Sequence, residues 1–331
     1  MSTEVVNSSS KYWQKKQVLK EMTERAMGKT VECFTVTELA GGMCNAVYLV
    51  EADGRKMVLK IAPSPSVTLM RHEYDSLLTE AKMLKIFEEK IQIPAPKMTY
   101  LDTTKEICDA DYFFMSFVEG ESLLTIEPKP EDRYIGECKR EVGVITRKIC
   151  SIQADCFGVP ALKETYRENN CDFMLCLFQM LIEDATDRNV SIPAILPEEL
   201  LSLIECQRAV LNEAEKPCYI HTDTWEGNLM MKDNRLEGLV DFAAILYGDP
   251  LMSHDFHDFS PEPRKEFLEG YGKTRFTRNE RIRITIYKMW QRLGMIVERG
   301  YREYEDENQY AWVLGEFEKA VEELKELIGD E

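Results

Sequence analysis

The stretch HTDTWEGNLMM…GLVDF, from His221 to Phe242, decides how the rest of the chain reads. Asp223 stands five residues before the amide of Asn228, and Asn228 stands thirteen before the acid of Asp241. Leu229, Met230 and Met231 follow Asn228, while Leu239 and Val240 lead into Asp241. The pattern predicts a polar loop feeding a hairpin, with strand 229–232, a turn at Asp233-Asn234 and strand 236–241. Such a hairpin returns Asn228 and Asp241 to one end. An amide oxygen and a carboxylate at one point are hard ligands suited to Mg²⁺. Asp223 then stands across the loop as an acid–base candidate. A base beside such a cation is the arrangement needed to move a phosphoryl group onto a hydroxyl.

Size and charge narrow the field. The 331 residues are long for one domain and suit two lobes, and 44% of them are hydrophobic, enough for a sizeable core. Lys and Arg number 41 against 59 Asp and Glu, a net charge of −18. That balance argues against a nucleic-acid backbone as partner, because such binding runs on Lys and Arg contacts to phosphate. It suits solubility, and it also suits a cationic substrate. The ten cysteines form no CxxC pair and no zinc-spaced Cys/His cluster. Cys150, Cys156, Cys171 and Cys176 fall in apolar helical patterns and read as buried thiols. With no signal-like N-terminal segment and no apolar run near the ~20 residues of a membrane span, the expected setting is a reducing cytoplasm.

Outward from the decisive stretch, the chain divides by period. Residues 11–27 read as a helix stopped by Gly28. From Val31 the period is two, with strands at 46–50 and 56–62 joined over Asp53-Gly54. The corner Ala40-Gly41-Gly42-Met43-Cys44-Asn45 could lay backbone N–H groups against phosphate, although alone it reads as an ordinary turn. Lys60 sits in an apolar strand, Val58-Leu59-Lys60-Ile61, and a central strand keeps a charge only with a partner. The next helix, 69–89, offers Glu73 and Glu80. Strands 98–101 and 112–118 complete five, and Pro128 and Pro130 mark a connection. Beyond it the period is helical, at 132–154, 170–187, 197–213, 267–271, 281–299 and 310–328. The last helix packs on the larger lobe or forms a dimer contact. Trp225 and Glu226 are candidates to line a substrate, with packing an equal reading for Trp225. His254 and His257 lie three apart, a spacing that metal sites also use, but the structural reading is preferred.

His221-x-Asp223-x4-Asn228, followed by Asp241-Phe242 and Gly248-Asp249-Pro250, resembles the catalytic and metal loops of the aminoglycoside phosphotransferase and choline kinase-like family, relatives of protein kinases. The resemblance covers roughly residues 30–300. It implies an α+β, two-lobed protein-kinase-like fold, with a small antiparallel β lobe over 1–118 and a larger, mainly helical catalytic and substrate-binding lobe over 119–331. It implies ATP or GTP with Mg²⁺ at Asn228 and Asp241. Gly41, Gly42, Asn45 and Lys60 would serve the nucleotide, and Ser116 and Val118, in a hinge-like segment, would meet the purine edge. Glu80 is preferred over Glu73 as the partner of Lys60. The segments Thr79-Glu80-Ala81-Lys82-Met83-Leu84 and Ile93-Pro94-Ala95-Pro96 look like the family's. Asp223 would orient the acceptor hydroxyl, with His221 and Asp249 as structural braces. Thr222 stands where the family often has glycine, and Ala243 replaces the glycine of protein kinases. Ser253 stands where many relatives have a bracing aspartate, with Asp255 two residues on.

The expected activity is therefore a phosphotransferase with an alcohol acceptor, a kinase for a small hydroxylated molecule. Aminoglycoside-like cations, with antibiotic resistance as the role, and metabolic acceptors are equally open, as are monomer and homodimer; no nucleic acid or membrane partner is expected. A nucleotide-binding pseudokinase acting as a partner module is the alternative. The complete set Lys60, Asp223, Asn228 and Asp241 argues against it.

Overall fold

The computed structural model describes residues 10–39, 44–302 and 307–329. The chain forms two compact units. The first takes the described part of Met1–Leu69 together with Asp75–Glu131 and Glu226–Ala243. The second takes Met70–Tyr74, Asp132–Trp225 and the described part of Ala244–Glu331.

In the first unit, helix α1 (Lys16–Met27) precedes strands β1 (Phe34–Glu38), β2 (Ala46–Ala52) and β3 (Arg55–Ile61). Helix α2 (Ser76–Lys90) and strands β4 (Met98–Asp102) and β5 (Tyr112–Ser116) follow. The five strands form one antiparallel sheet in the order β1-β2-β3-β5-β4. Asp53 and Gly54 turn β2 into β3 with positive φ at both residues, which the right-handed twist of the flanking strands favours. Leu19 and Met22 of α1 pack with Val50, Leu59, Tyr112 and Phe114. Burial of side chains this size contributes about 1.5–3 kcal/mol each. Helix 11–27 of the sequence reading begins later, at Lys16. The central strand β3 is paired on both edges, with Lys60 opposite Val47 and Phe113.

A second, three-stranded sheet belongs to the same unit. The hairpin Leu229–Lys232/Arg235–Leu239 is as expected in its first strand and turn, and Asp233 and Asn234 both have positive φ. Its second strand ends two residues earlier than expected, because Asp241 takes a left-handed φ of 64° and leaves the extended line. The short strand Glu121–Ser122 pairs with Met230 and Met231. At Gly120, φ is 106°, and a Cβ there would lie 2.3 Å from the Met231 carbonyl oxygen, so glycine is needed for this close approach.

The second unit is mainly helical: α3 (Asp132–Cys150), α4 (Asn170–Asp187), α5 (Pro197–Glu205), α6 (Arg208–Leu211), α7 (Lys265–Tyr271), α8 (Arg278–Arg302) and α9 (Glu307–Gly329). Among the described residues it also holds four strands, which lie between the segments read as helical: β6 (Phe157–Val159), β7 (Leu162–Arg167), β8 (Cys218–His221) and β9 (Ile245–Gly248). Their order is β7-β6-β9-β8. Helices α3 and α7 touch backbone to backbone, since a Cβ on Gly270 would lie 1.9 Å from the Arg140 carbonyl oxygen. Helix α9 lays Val313, Phe317, Val321 and Leu324 in the core and packs on α8. Met70–Tyr74 is held here as well. The Arg71 backbone N–H donates to Asp184 Oδ2 at 3.0 Å, and Arg302 pairs with Glu73. Among the described residues no helix is long and apolar enough to cross a membrane, and none of the ten cysteines is in a disulfide. Cys150 and Cys171 are buried as expected, whereas Cys156 and Cys176 are partly exposed.

Candidate active site

Lys60 is the only ionic side chain on the buried half of β3, whose last four residues are all buried. Its Nζ donates to Glu80 Oε1 at 2.9 Å and Oε2 at 2.8 Å. Glu80 is fully buried on the apolar face of α2, between Leu77 and Leu84. Its competitor Glu73 lies in the other unit and pairs with Arg302. A third group closes the cluster, for Asp241 Oδ1 lies 3.2 Å from Lys60 Nζ. Burial works against the Lys60 ammonium, but Asp241 and Glu80 outweigh it and hold its pKa above the ordinary value. Burial also raises the Glu80 carboxyl, against the pull of Lys60.

Asp241 is placed by its neighbours on both sides. Val240 donates its N–H to the Asn228 carbonyl at 3.0 Å, which closes the hairpin mouth. Phe242 donates its N–H to Glu80 Oε1 at 3.2 Å, and its ring meets Phe87 of α2 edge-on at 5.4 Å. A left-handed backbone at an aspartate is an uncommon conformation that its surroundings must enforce, and such residues cluster at functional sites. The Asp241 side chain is 39% exposed, while Asn228 is buried. One carboxylate and one amide oxygen at a hairpin mouth form a donor set that suits Mg²⁺, which keeps several waters and needs few protein ligands. Among the described residues no group of three or more His, Cys, Asp or Glu is arranged to hold a metal.

Asp223 belongs to the second unit, in the loop after β8. His221 is buried at the strand end, opposite Ile245 of β9, and its Nδ1 accepts the Asp223 N–H at 3.1 Å. Thr222 donates both its N–H and its hydroxyl to the Ala244 carbonyl, at 3.1 and 3.0 Å. Thr224 donates its hydroxyl to Asp255 Oδ2. Asp255 also receives Lys139 Nζ of α3 at 2.7 Å. Asp255, two residues past Ser253, thus carries a bracing contact onto the loop. Asp249 caps the turn that follows β9: its Oδ1 accepts the Leu251 N–H at 3.1 Å. Its Oδ2 accepts Arg283 Nε at 2.9 Å and the Tyr287 hydroxyl at 2.8 Å.

The remaining candidates divide. Gly41 and Gly42 lie outside the described residues. Asn45 is buried at the start of β2. Ser116 donates its N–H to the Lys97 carbonyl and accepts the Lys97 N–H on its hydroxyl, both at 2.9 Å, so these groups are engaged within the unit. Val118 packs against Gly238. Trp225 is exposed, and so is Glu226, whose carbonyl accepts the Leu124 N–H and the Ser122 hydroxyl. His254 and His257 are buried, with rings 6.4 Å apart. His254 Nδ1 accepts from Gln291, and His257 Nε2 donates to the Met252 carbonyl. Sequence reasoning missed Lys139 and Thr224. The available signal was a lysine on the stripe Gly136, Lys139, Val142, Gly143 and Thr146, the buried face of α3.

With this geometry in place, the chain was compared with known proteins. The model of the phosphotransferase enzyme family matches residues 35–282, three quarters of the chain, and the protein belongs to that family. It is a phosphotransferase with the protein-kinase-like fold. No curated protein matched the chain in a sequence search. Among solved structures, it is similar to a Haemophilus somnus protein assigned as a fructosamine-3-kinase, at 13% identity and a TM-score of 0.68, covering 92% of this chain and 96% of that one. A second is APH(2″)-IIa in its ternary complex with streptomycin and ATP, at 18% identity and a TM-score of 0.60, covering 95% and 99%. A third is the GDP complex of an aminoglycoside 2′-phosphotransferase, at 13% identity and a TM-score of 0.59, covering 93% and 98%.

Proposed function

We propose that the protein transfers the γ-phosphoryl group of ATP or GTP to a hydroxyl of a small molecule. The observation that carries this reading is the meeting of the buried Lys60 ammonium with Glu80 and Asp241, three charges from three separate segments of the chain. Lys60 holds the nucleotide phosphates, and Glu80 fixes the direction in which Lys60 points. Asn228 and Asp241 hold Mg²⁺, which supplies neutralisation of charge on the transferring group. Asp223 accepts a hydrogen bond from the acceptor hydroxyl and aims its oxygen, with His221 and Asp249 bracing the surrounding backbone. A loose phosphoryl-transfer transition state asks mainly for such positioning and electrostatics.

The acceptor is a small polyhydroxylated compound, and amino-substituted ones fit best. The net charge of −18 favours cations in solution. One similar structure holds streptomycin, and another is assigned as a fructosamine-3-kinase. Aminoglycosides and metabolic amino sugars or amino alcohols belong to this class. The test is mass spectrometry for the gain of one phosphoryl group. The panel is aminoglycosides, macrolides, fructosamines and amino alcohols, each with Mg-ATP and Mg-GTP. A phosphorylated product is expected from an amino-substituted acceptor. Phosphate release without any phosphorylated product would replace this reading with a hydrolytic one.

A further inference from the structure

We propose that Lys139 and Asp255 form a buried positioning pair that sets the backbone of the Asp223 loop through the Thr224 hydroxyl. The inference rests on the role given to Asp223 above and adds a residue from a distant helix to it. Lys139 projects from α3 with its side chain only 9% exposed, and Asp255 and Thr224 are buried. The two oxygens of Asp255 divide their work. Oδ1 takes the Lys139 ammonium at 2.7 Å, and Oδ2 takes the Thr224 hydroxyl. Burial disfavours both charges, yet each outweighs that penalty for the other. Lys139 is held above its ordinary pKa and Asp255 below its own. The carboxylate therefore stays ionised at neutral pH and stays an acceptor for Thr224.

Thr224 follows Asp223 directly. On the other side, His221 Nδ1 holds the Asp223 N–H and the Ala244 carbonyl holds Thr222. Asp223 is thus suspended between tied residues, and the tie after it ends on a charge pair. A buried ion pair offers little net stability over apolar side chains of the same volume, so its use is to enforce one geometry. For a group that aims a hydroxyl, geometry governs rate. A misplacement of about 1 Å from a distant change can lower turnover about 10²-fold. The pair acts through Thr224 and does not touch the reacting atoms.

The test uses the full-length protein and two variants, Lys139→Met and Thr224→Val, with Lys139→Arg and Thr224→Ser as rescues. For both variants kcat is expected to fall about 10–100-fold while both KM values stay within about twofold, the signature of lost positioning. The rescues, which restore a cation and a hydroxyl, should recover most of kcat. Amide exchange in the peptide 221–228 should accelerate in both variants, with α4 unchanged. If Lys139→Met does not fold, Thr224→Val carries the test, because it deletes one hydroxyl and keeps the volume. Wild-type kcat and wild-type exchange in Thr224→Val would overturn the pair, as would an equal loss in Thr224→Ser. A wild-type protein that phosphorylates nothing in the panel overturns the reading of Asp223 instead, and the exchange measurement still decides whether Lys139 controls the loop.

Discussion

Nζ of Lys60 lies 3.2 Å from Oδ1 of Asp241 while it also donates to both oxygens of Glu80. One ammonium from the central strand thereby orders an acid on α2 and an acid at the hairpin mouth. Removing it leaves Glu80 buried and uncompensated. Lys60→Met is expected to lower stability by about 3–5 kcal/mol in urea unfolding, the usual consequence of breaking a buried pair. Phosphoryl transfer should fall with it. Unchanged unfolding would show that Glu80 is held by other contacts.

Asp241 is the charged half of the donor pair proposed for the cation. Asp241→Asn keeps the shape and removes the charge. The Mg²⁺ concentration for half-maximal turnover should rise by at least about tenfold, since even outer partners of metal ligands shift affinity by 10–100-fold. A Mg²⁺ titration that overlays the wild type would remove Asp241 from that role.

Asp223→Asn should depress kcat by about 10²–10⁴, the range for a positioned acid–base group, with Mg-nucleotide affinity kept. Single-turnover measurements with saturating nucleotide separate the two quantities. Near-normal turnover would assign the aiming of the hydroxyl elsewhere.

His254 and His257 predict an acid limb in stability. Burial, ahead of every other cause, depresses their pKa values to about 3 and about 4. Asp255 favours the charged form of His254, while His257, Lys139 and His221 oppose it; Arg292 opposes that of His257. Both rings are neutral in the folded protein, so the unfolded chain binds more protons below its ordinary His pKa of about 6.5. Stability should be full above that value and fall as pH drops toward 4, by about 1.4 kcal/mol per pH unit for each ring. Thermal melts from pH 7 to 4.5 check the slope, and His257→Phe should flatten it.

Asp249 joins a capped turn to two buried donors, Arg283 and the Tyr287 hydroxyl. Asp249→Ala should destabilise the second unit by about 3–5 kcal/mol, because it leaves the Arg283 charge without its nearest buried acceptor. Asp249→Asn, which keeps an acceptor oxygen, should lose less in the same denaturation experiment.

Much of the first unit was readable because its signals are local. The Asp53-Gly54 turn and the apolar period around Lys60 act over neighbours, and so does the Asp233-Asn234 turn that returns Asp241 toward Asn228. The choice of Glu80 over Glu73 needed the family resemblance, since helix periodicity left both open. What escaped was nonlocal. No strand was read between the helical segments 132–154 and 170–187, yet Gly158 lets β6 lie against Tyr166 of β7 there. The strand at Glu121–Ser122 has only two residues, and its partner lies more than a hundred positions later. Lys139 and Asp255 are 116 residues apart, and nothing near either one announces the other.

The backbone passes between the two units five times, after residues 69, 74, 131, 225 and 243. Neither unit is therefore a contiguous piece of gene. No single cut yields an autonomous half, and a ribosome cannot finish the first unit until residue 243 has been made, well inside the coding sequence of the second. Recombination that swaps helices of the second unit among relatives must leave the 226–243 insert in register, or it dismantles the first unit along with the part it meant to exchange.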